Sequence, residues 1–389
     1  MQLREVVDVV TADEPPLSHS TEEIIRAGRK AERRRRAGFA SAGAAGLVAV
    51  VVAGVSALPL VTGGQAGDVA AGTGESIAAP AAGSGAAEWP DAPPFTFTFK
   101  AFDAGKLRVQ DPIVASTAYQ IAPVYVDGMV TNDRAVNGDE AEQHPEKRKT
   151  GEVPSDKHVA AHLTLYRPGA FDPSGTEGGT SSTVAGRDAV QWTFTNPPAR
   201  QLAWEYADDA WAVVTAYTQE VTPTFQELST LVTAMKPSTP ETATLPFTVG
   251  HVPAGYAPVE LGTRATSGLN GVAGARDGDY GGAVYTKPAL ATTGLAAPWG
   301  ADGENIPGSF TIFVTPSRNS NQQAEAGRTR CHQNESTFCN VWSADGKVQV
   351  QVNSEHLSVA ETTRIAESVT LANVQDHDTW IPAAEALLP

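Results

Sequence analysis

The chain has 389 residues, a length that allows two or three domains. Its net charge of −16 arises from 28 basic and 44 acidic residues. Residues 1–37 hold eight basic and seven acidic groups, so the whole imbalance lies beyond them. An acidic surface of that kind repels nucleic acid and anionic lipid, which excludes a nucleic-acid partner for the main part of the chain.

Residues 1–36 carry two helical signals. Leu3, Val6, Val7 and Val10 repeat at i, i+3, i+4, i+7 and fall on one helix face, and Asp13-Glu14-Pro15-Pro16 ends that helix. Ser20 and Glu23 form a capping box that predicts a second helix from Thr21 into Arg33-Arg34-Arg35-Arg36. The first helix is too short to stand alone in water, so its apolar face predicts a partner, either the membrane surface or a cytosolic protein bound at residues 1–25. The stretch from LREVVDVV through PPLSHSTEEIIRAGRKAERRRR resembles the N-terminus of uncharacterised actinobacterial single-span membrane proteins with an anti-sigma-factor-like layout. That resemblance implies a regulatory role through the cytosolic segment. The His and paired Cys of the zinc-binding anti-sigma signature are absent from residues 1–36, so no site residue carries over.

Residues 37–62 contain no charged side chain. The apolar stretch from Phe39 to Val61 would span about 34 Å as a helix, enough for a ~30 Å hydrocarbon layer. With Arg33, Arg34, Arg35 and Arg36 as the orientation signal, it predicts a single-pass transmembrane helix, N-terminus in the cytoplasm and C-terminal part outside, with the lipid bilayer as partner. A signal peptide cleaved near Val55-Ser56-Ala57 is the alternative. Residues 63–93, rich in Gly, Ala, Ser and Pro, read as a flexible linker.

The rest reads as an internal duplication, repeat 1 over 94–240 and repeat 2 over 241–374, followed by a tail at 375–389. Phe95–Phe99 corresponds to Leu245–Val249, Gly186-Arg187 to Gly327-Arg328, and Trp204 with Ala207-Asp208 to Trp342 with Ala344-Asp345. Alternation of Val348, Val350 and Val352 with Gln349 and Gln351 predicts a strand with one wet face. A helix over 223–236 places Phe225, Leu228, Leu231, Val232 and Met235 on one side. The expected class is α+β: one N-terminal transmembrane helix, then a tandem pair of antiparallel-sheet-plus-helix domains. Two inserts, 132–157 and 264–308, read as surface loops.

Chemistry-bearing motifs are sparse. Cys331 and Cys339 are the only cysteines and predict a disulfide at a hairpin tip. His158 and His162 have the spacing of two zinc ligands on a helix but lack the accompanying Glu and sit in a strand-like segment. Asp277 and Asp279 lack the remaining ligands of a calcium loop. Trp192, Trp204, Trp211, Trp342 and Trp380 read as core plugs between helix and sheet, with a ligand platform as the alternative. No nucleophile elbow or phosphate loop is present, and no catalytic, metal or cofactor residue is expected. Together these features predict a non-enzymatic, membrane-anchored extracytoplasmic binding or sensing module. The alternatives are a cell-envelope structural protein and an extracytoplasmic hydrolase.

Overall fold

The computed structural model describes residues 88–126, 159–195, 198–216, 223–273, 279–301, 305–320 and 323–387. In chain order the first strands are β1 (Thr96–Phe97), β2 (Phe102–Ala104), β3 (Leu107–Val109), β4 (Val114–Ser116), β5 (Tyr119–Val126) and β6 (Ala161–Tyr166). Then come β7 (Thr180–Val184), β8 (Arg187–Thr195), β9 (Pro198–Ala207), β10 (Ala210–Ala216) and helix α1 (Phe225–Ala234). The second half holds β11 (Glu241–Thr242), β12 (Thr244–Leu245), β13 (Phe247–Val249), β14 (Ala257–Thr263), helix α2 (Gly268–Ala273), β15 (Gly281–Thr286) and β16 (Ser309–Pro316). It ends with β17 (Thr329–Gln333), β18 (Thr337–Trp342), β19 (Val348–Ser354), α3 (Val359–Ser368), β20 (Val369–Leu371), β21 (Ile381–Pro382) and α4 (Ala383–Ala386).

Fifteen of these strands form one antiparallel sheet in the order β17-β18-β19-β16-β15-β14-β4-β5-β6-β10-β9-β8-β7, with β2 and β3 attached at β5. Outward from the β4–β14 seam, both halves repeat one topology. Three successive strands lie side by side, a hairpin pair and a last strand fold back onto the third, and a helix follows; the first half adds β7 at its edge. The seam itself is a short ladder, Ser116 opposite Glu260, Ala115 opposite Leu261 and Val114 opposite Gly262. The segments 94–240 and 241–374 therefore share a sheet.

This corrects the α+β expectation. The described residues are 43% strand and 15% helix, so the class is mainly β. The physical reason lies in the Ser/Thr/Val-rich stretches between the recognised motifs, which pair as strands, while each sheet-covering helix is ten residues long. The single-pass membrane placement is corrected too. No helix among the described residues is long and apolar enough to cross a membrane. The stretch 37–62, Arg33, Arg34, Arg35 and Arg36, and the helices expected within 1–36 lie outside the described residues, as does the insert 132–157.

Helices α1 and α3 cover the same face of the sheet. On that face Ala115, Leu261, Ala283, Ile312, Val352 and Cys339 lie in one row across successive strands. Thr224 caps α1: its Oγ1 accepts from the Glu227 N–H, and the Glu227 carboxylate accepts from the Thr224 N–H at 2.7 Å. The helix stops before Lys236-Pro237, because proline disfavours helical geometry in the residue before it. Leu228, Leu231 and Val232 are fully buried. Each is worth about 1.5–3 kcal/mol, so packing rather than propensity holds this helix. In α3 the Ser358 Oγ accepts from the Glu361 N–H at 3.2 Å, but the Glu361 carboxylate turns to the His251 ring at 2.7 Å, so only half of a capping box forms.

Both ends of the described region are anchored. Trp89 packs edge-on against Tyr206, with ring centroids 4.7 Å apart, and the Arg167 guanidinium donates to the Ala92 and Pro93 carbonyls. Near the C-terminus β21 pairs with β12, α4 buries Ala383 and Ala386, and the Tyr285 hydroxyl donates to the Leu387 carbonyl at 2.9 Å.

Candidate functional site

The other face of the sheet carries no α1 or α3. Strand alternation places Val114, Gly262, Gly282, Phe313, Gln351 and Asn340 in one row across it. A parallel row runs from Phe338 through Asn353, Thr311 and Val284 to Glu260 and Ser116 at the seam. Two polar features on this face stand out against an otherwise apolar interior.

The first is at the seam. Glu260, on β14, is 1% exposed. Its carboxylate accepts the Tyr119 hydroxyl at 2.5 Å and the Gly268 N–H. The Tyr119 oxygen in turn accepts the Trp299 N–H at 3.1 Å. A continuous hydrogen-bond chain thus links β5, β14, the start of α2 and the Trp299 turn. Burial pushes the Glu260 carboxyl up to about 7, against the hydrogen bonds from Tyr119 and Gly268, which favour the ionised form. Burial, then the facing Glu260 charge, raises the Tyr119 hydroxyl well above its ordinary range.

Apolar groups enclose this chain. Tyr119 lies 5.7 Å from Tyr166 and 5.2 Å from Trp299 between ring centroids, and Phe171 continues the cluster toward Trp211. Val272 of α2 is fully buried against it, and Leu269 and Leu295 pack at its margin. The close approach of the segment entering α2 explains Gly262, where a Cβ would lie 2.3 Å from the Thr266 carbonyl oxygen. Gly268 opens α2 with φ +75°, a left-handed conformation that favours glycine.

The second feature is an amide strip on β18 and β19. Gln349 Nε2 donates to Asn340 Oδ1 at 2.7 Å, and both side chains are fully buried. Asn340 Nδ2, Gln349 Oε1, Trp342 Nε1 and Asn353 Oδ1 are buried with no hydrogen-bond partner. Each such atom costs about 1–3 kcal/mol if left unpaired. A cavity of about 20 Å³ touches Asn353, Thr311 and Ser309. That is room for one water, so Asn353 has a ready partner. The other three atoms do not line this cavity. The wet face expected from the Val/Gln alternation is therefore not wet: Gln349, Gln351 and Asn353 are all buried.

The remaining expected residues fall elsewhere. Cys331 and Cys339 are bonded, S–S 2.10 Å, at paired positions of β17 and β18, with Thr363 Oγ1 3.0 and 3.5 Å from the two sulfurs. His162 is buried on β6, and burial lowers its pKa to about 4; His158 lies outside the described residues. Asp279 accepts from Thr315 and Asn319, and Asp277 lies outside the described residues. No group of three or more metal-ligating side chains occurs among the described residues. All five tryptophans singled out in the sequence are buried.

A surface depression of about 450 Å³ brings together His251, Ser368, Arg364 and Glu367, beside Glu361. Its composition suggests hydrolase chemistry, but its hydrogen bonds do not. Ser368 Oγ accepts the backbone N–H of His251 at 3.0 Å and donates to the Ile365 carbonyl at 2.7 Å. The His251 Nε2 goes to Glu361. The hydroxyl is committed to backbone groups and is not activated by the ring. No protein-family model matches the chain, and no characterised protein matches it in sequence.

Proposed function

We propose that the protein is a binding module, not an enzyme, and that the helix-free face around β16, β18 and β19 holds a neutral polyhydroxylated ligand of the oligosaccharide class. One observation carries this reading. Asn340 Nδ2, Trp342 Nε1 and Gln349 Oε1 are buried without partners on a face to which these three strands contribute no charged side chain. Two donors and an acceptor in one patch match hydroxyl groups, which both give and accept hydrogen bonds. Phe313 and Trp342 put apolar rings beside them, and because all four side chains are buried the ligand enters only as the chain over this face opens. A phosphate or carboxylate ligand would need a cation, and β16, β18 and β19 place none on this face. The committed hydroxyl of Ser368 supports the reading without catalysis.

The test is titration calorimetry with a panel of neutral oligosaccharides, on the wild-type chain and on Asn340→Ala. Losing a buried donor to the ligand weakens binding by about tenfold or more. The affinity is unchanged between low and high salt, because no charge takes part. Binding that survives Asn340→Ala, or that weakens steeply with salt, contradicts the reading, as does a wild-type chain that binds no member of the panel.

A further inference from the structure

Glu260 is a buried acid that the binding reading does not use. Among the described residues, four elements pack on it. From β5 it faces the Tyr119 hydroxyl, and behind that stands Tyr166 of β6. From β4 and β15 it faces Ser116 and Val284, neither of which titrates in this range. Helix α2 presents the Gly268 N–H and no titratable side chain, and residues 295–301 likewise contain none. No cation among the described residues acts on the carboxyl group.

The partners of Glu260 differ in how firmly they are held. Strands β5 and β14 are each paired on both sides within the sheet. Helix α2 has six residues, far below the length at which a helix stands alone. It is fastened to the seam by Leu269, Val272 and the Gly268 N–H, and the Trp299 turn by Leu295 and the Trp299 N–H, with Leu295 also bonded through its backbone to Ala170 and Asp172. Water reaches a charged Glu260 most cheaply by displacing this cover, because local opening draws on the least-held elements.

We infer that α2 and the Trp299 turn form a proton-operated cover over the seam end of the helix-free face, closed while Glu260 holds its proton and loosened when the proton leaves. As a control on ligand access it rests on the binding reading above; as a movement of the protein it stands independently. The raised carboxyl sets the window. Opening exposes Glu260 to solvent, where it titrates near its ordinary value of about 4.3. Opening therefore becomes easier as pH rises from there to about 7, and levels off above.

Amide hydrogen exchange on the full chain without ligand tests this, with rates corrected for intrinsic pH dependence. The wild-type amides of residues 268–273 and 299 lose protection by up to about tenfold per pH unit between pH 4.5 and 7, then no further. Protection in β16 and β19 holds steady, which separates a local cover from global unfolding. Glu260→Gln abolishes the pH dependence at the cover. Tyr119→Phe removes a donor that favours the ionised carboxyl and moves the upper end of the window to higher pH. A flat wild-type profile, the same profile in Glu260→Gln, or simultaneous loss of protection across the sheet overturns the inference. None of these outcomes depends on oligosaccharide binding, so a failure of the cover is distinguishable from a failure of the binding reading.

Discussion

The Tyr119 hydroxyl and the Glu260 carboxylate, 2.5 Å apart, form a buried hydrogen bond across the seam between the two halves of the sheet. It ties β5 of the first half to β14 of the second where the connecting ladder is only three residue pairs long. The carboxyl is raised to about 7 by burial, so the neutral form is the one the fold favours. Its stabilising contribution is complete below the unfolded value and disappears as pH rises through about 7. The loss amounts to about 3 kcal/mol. Glu260→Gln is expected to remove this declining contribution, so that guanidinium unfolding midpoints measured between pH 4 and 8 climb with pH instead of staying level.

His162 acts in the opposite sense. Burial lowers its pKa to about 4, so the folded chain favours the neutral ring. Its contribution is complete above the ordinary value near 6.5 and is lost as pH falls through about 4, again on the order of 3 kcal/mol. Between these limits the two slopes nearly cancel, which predicts that together they leave stability close to level between about pH 4.5 and 6.5. His162→Gln is expected to uncover the Glu260 decline between about pH 4.5 and 7, and a midpoint series on both single variants separates the two contributions.

The disulfide between Cys331 and Cys339 closes a loop with a sequence separation of 8 and joins edge strand β17 to β18. Chain-entropy arithmetic for so small a loop gives about 2–3 kcal/mol. Cys331→Ala/Cys339→Ala is expected to lower the unfolding free energy by that amount in denaturant titrations. Wild-type protein in reductant should behave the same way.

Gly262→Ala tests the close approach of the chain to β14. The added methyl would lie 2.3 Å from the Thr266 carbonyl oxygen, so the segment leading into α2 has to move. A loss of about 1–3 kcal/mol is expected. Increased acrylamide quenching of tryptophan emission should accompany it, as Trp299 is uncovered.

Much of the strand and helix pattern was legible in local sequence. The Val348–Val352 alternation, the Ser358 cap and the apolar face of α1 each follow from periods and capping chemistry. What local pattern could not report was which strands join across the middle. Pairing of Val114–Ser116 with Glu260–Gly262 depends on contacts nearly 150 residues apart. Trp204 and Trp342 illustrate a second limit. They correspond in sequence order, yet Trp204 points to the α1 face and Trp342 to the helix-free face. A bulge at Ala210/Trp211 shifts the first hairpin by one residue, and a one-residue shift exchanges the faces. The amide strip is visible in the sequence, but alternation alone reads it as a solvated face, whereas it is buried. Its signal was the use of Gln349, Gln351 and Asn353 on one face with no Lys or Glu among them.

The binding face is tested most directly by side-chain nuclear magnetic resonance during titration with a neutral oligosaccharide identified by calorimetry. The account predicts that the Trp342 indole N–H and the Asn340 side-chain amide shift together and saturate with the calorimetric affinity. Saturable binding that leaves both signals unmoved, with shifts at His251 and Arg364 instead, contradicts it.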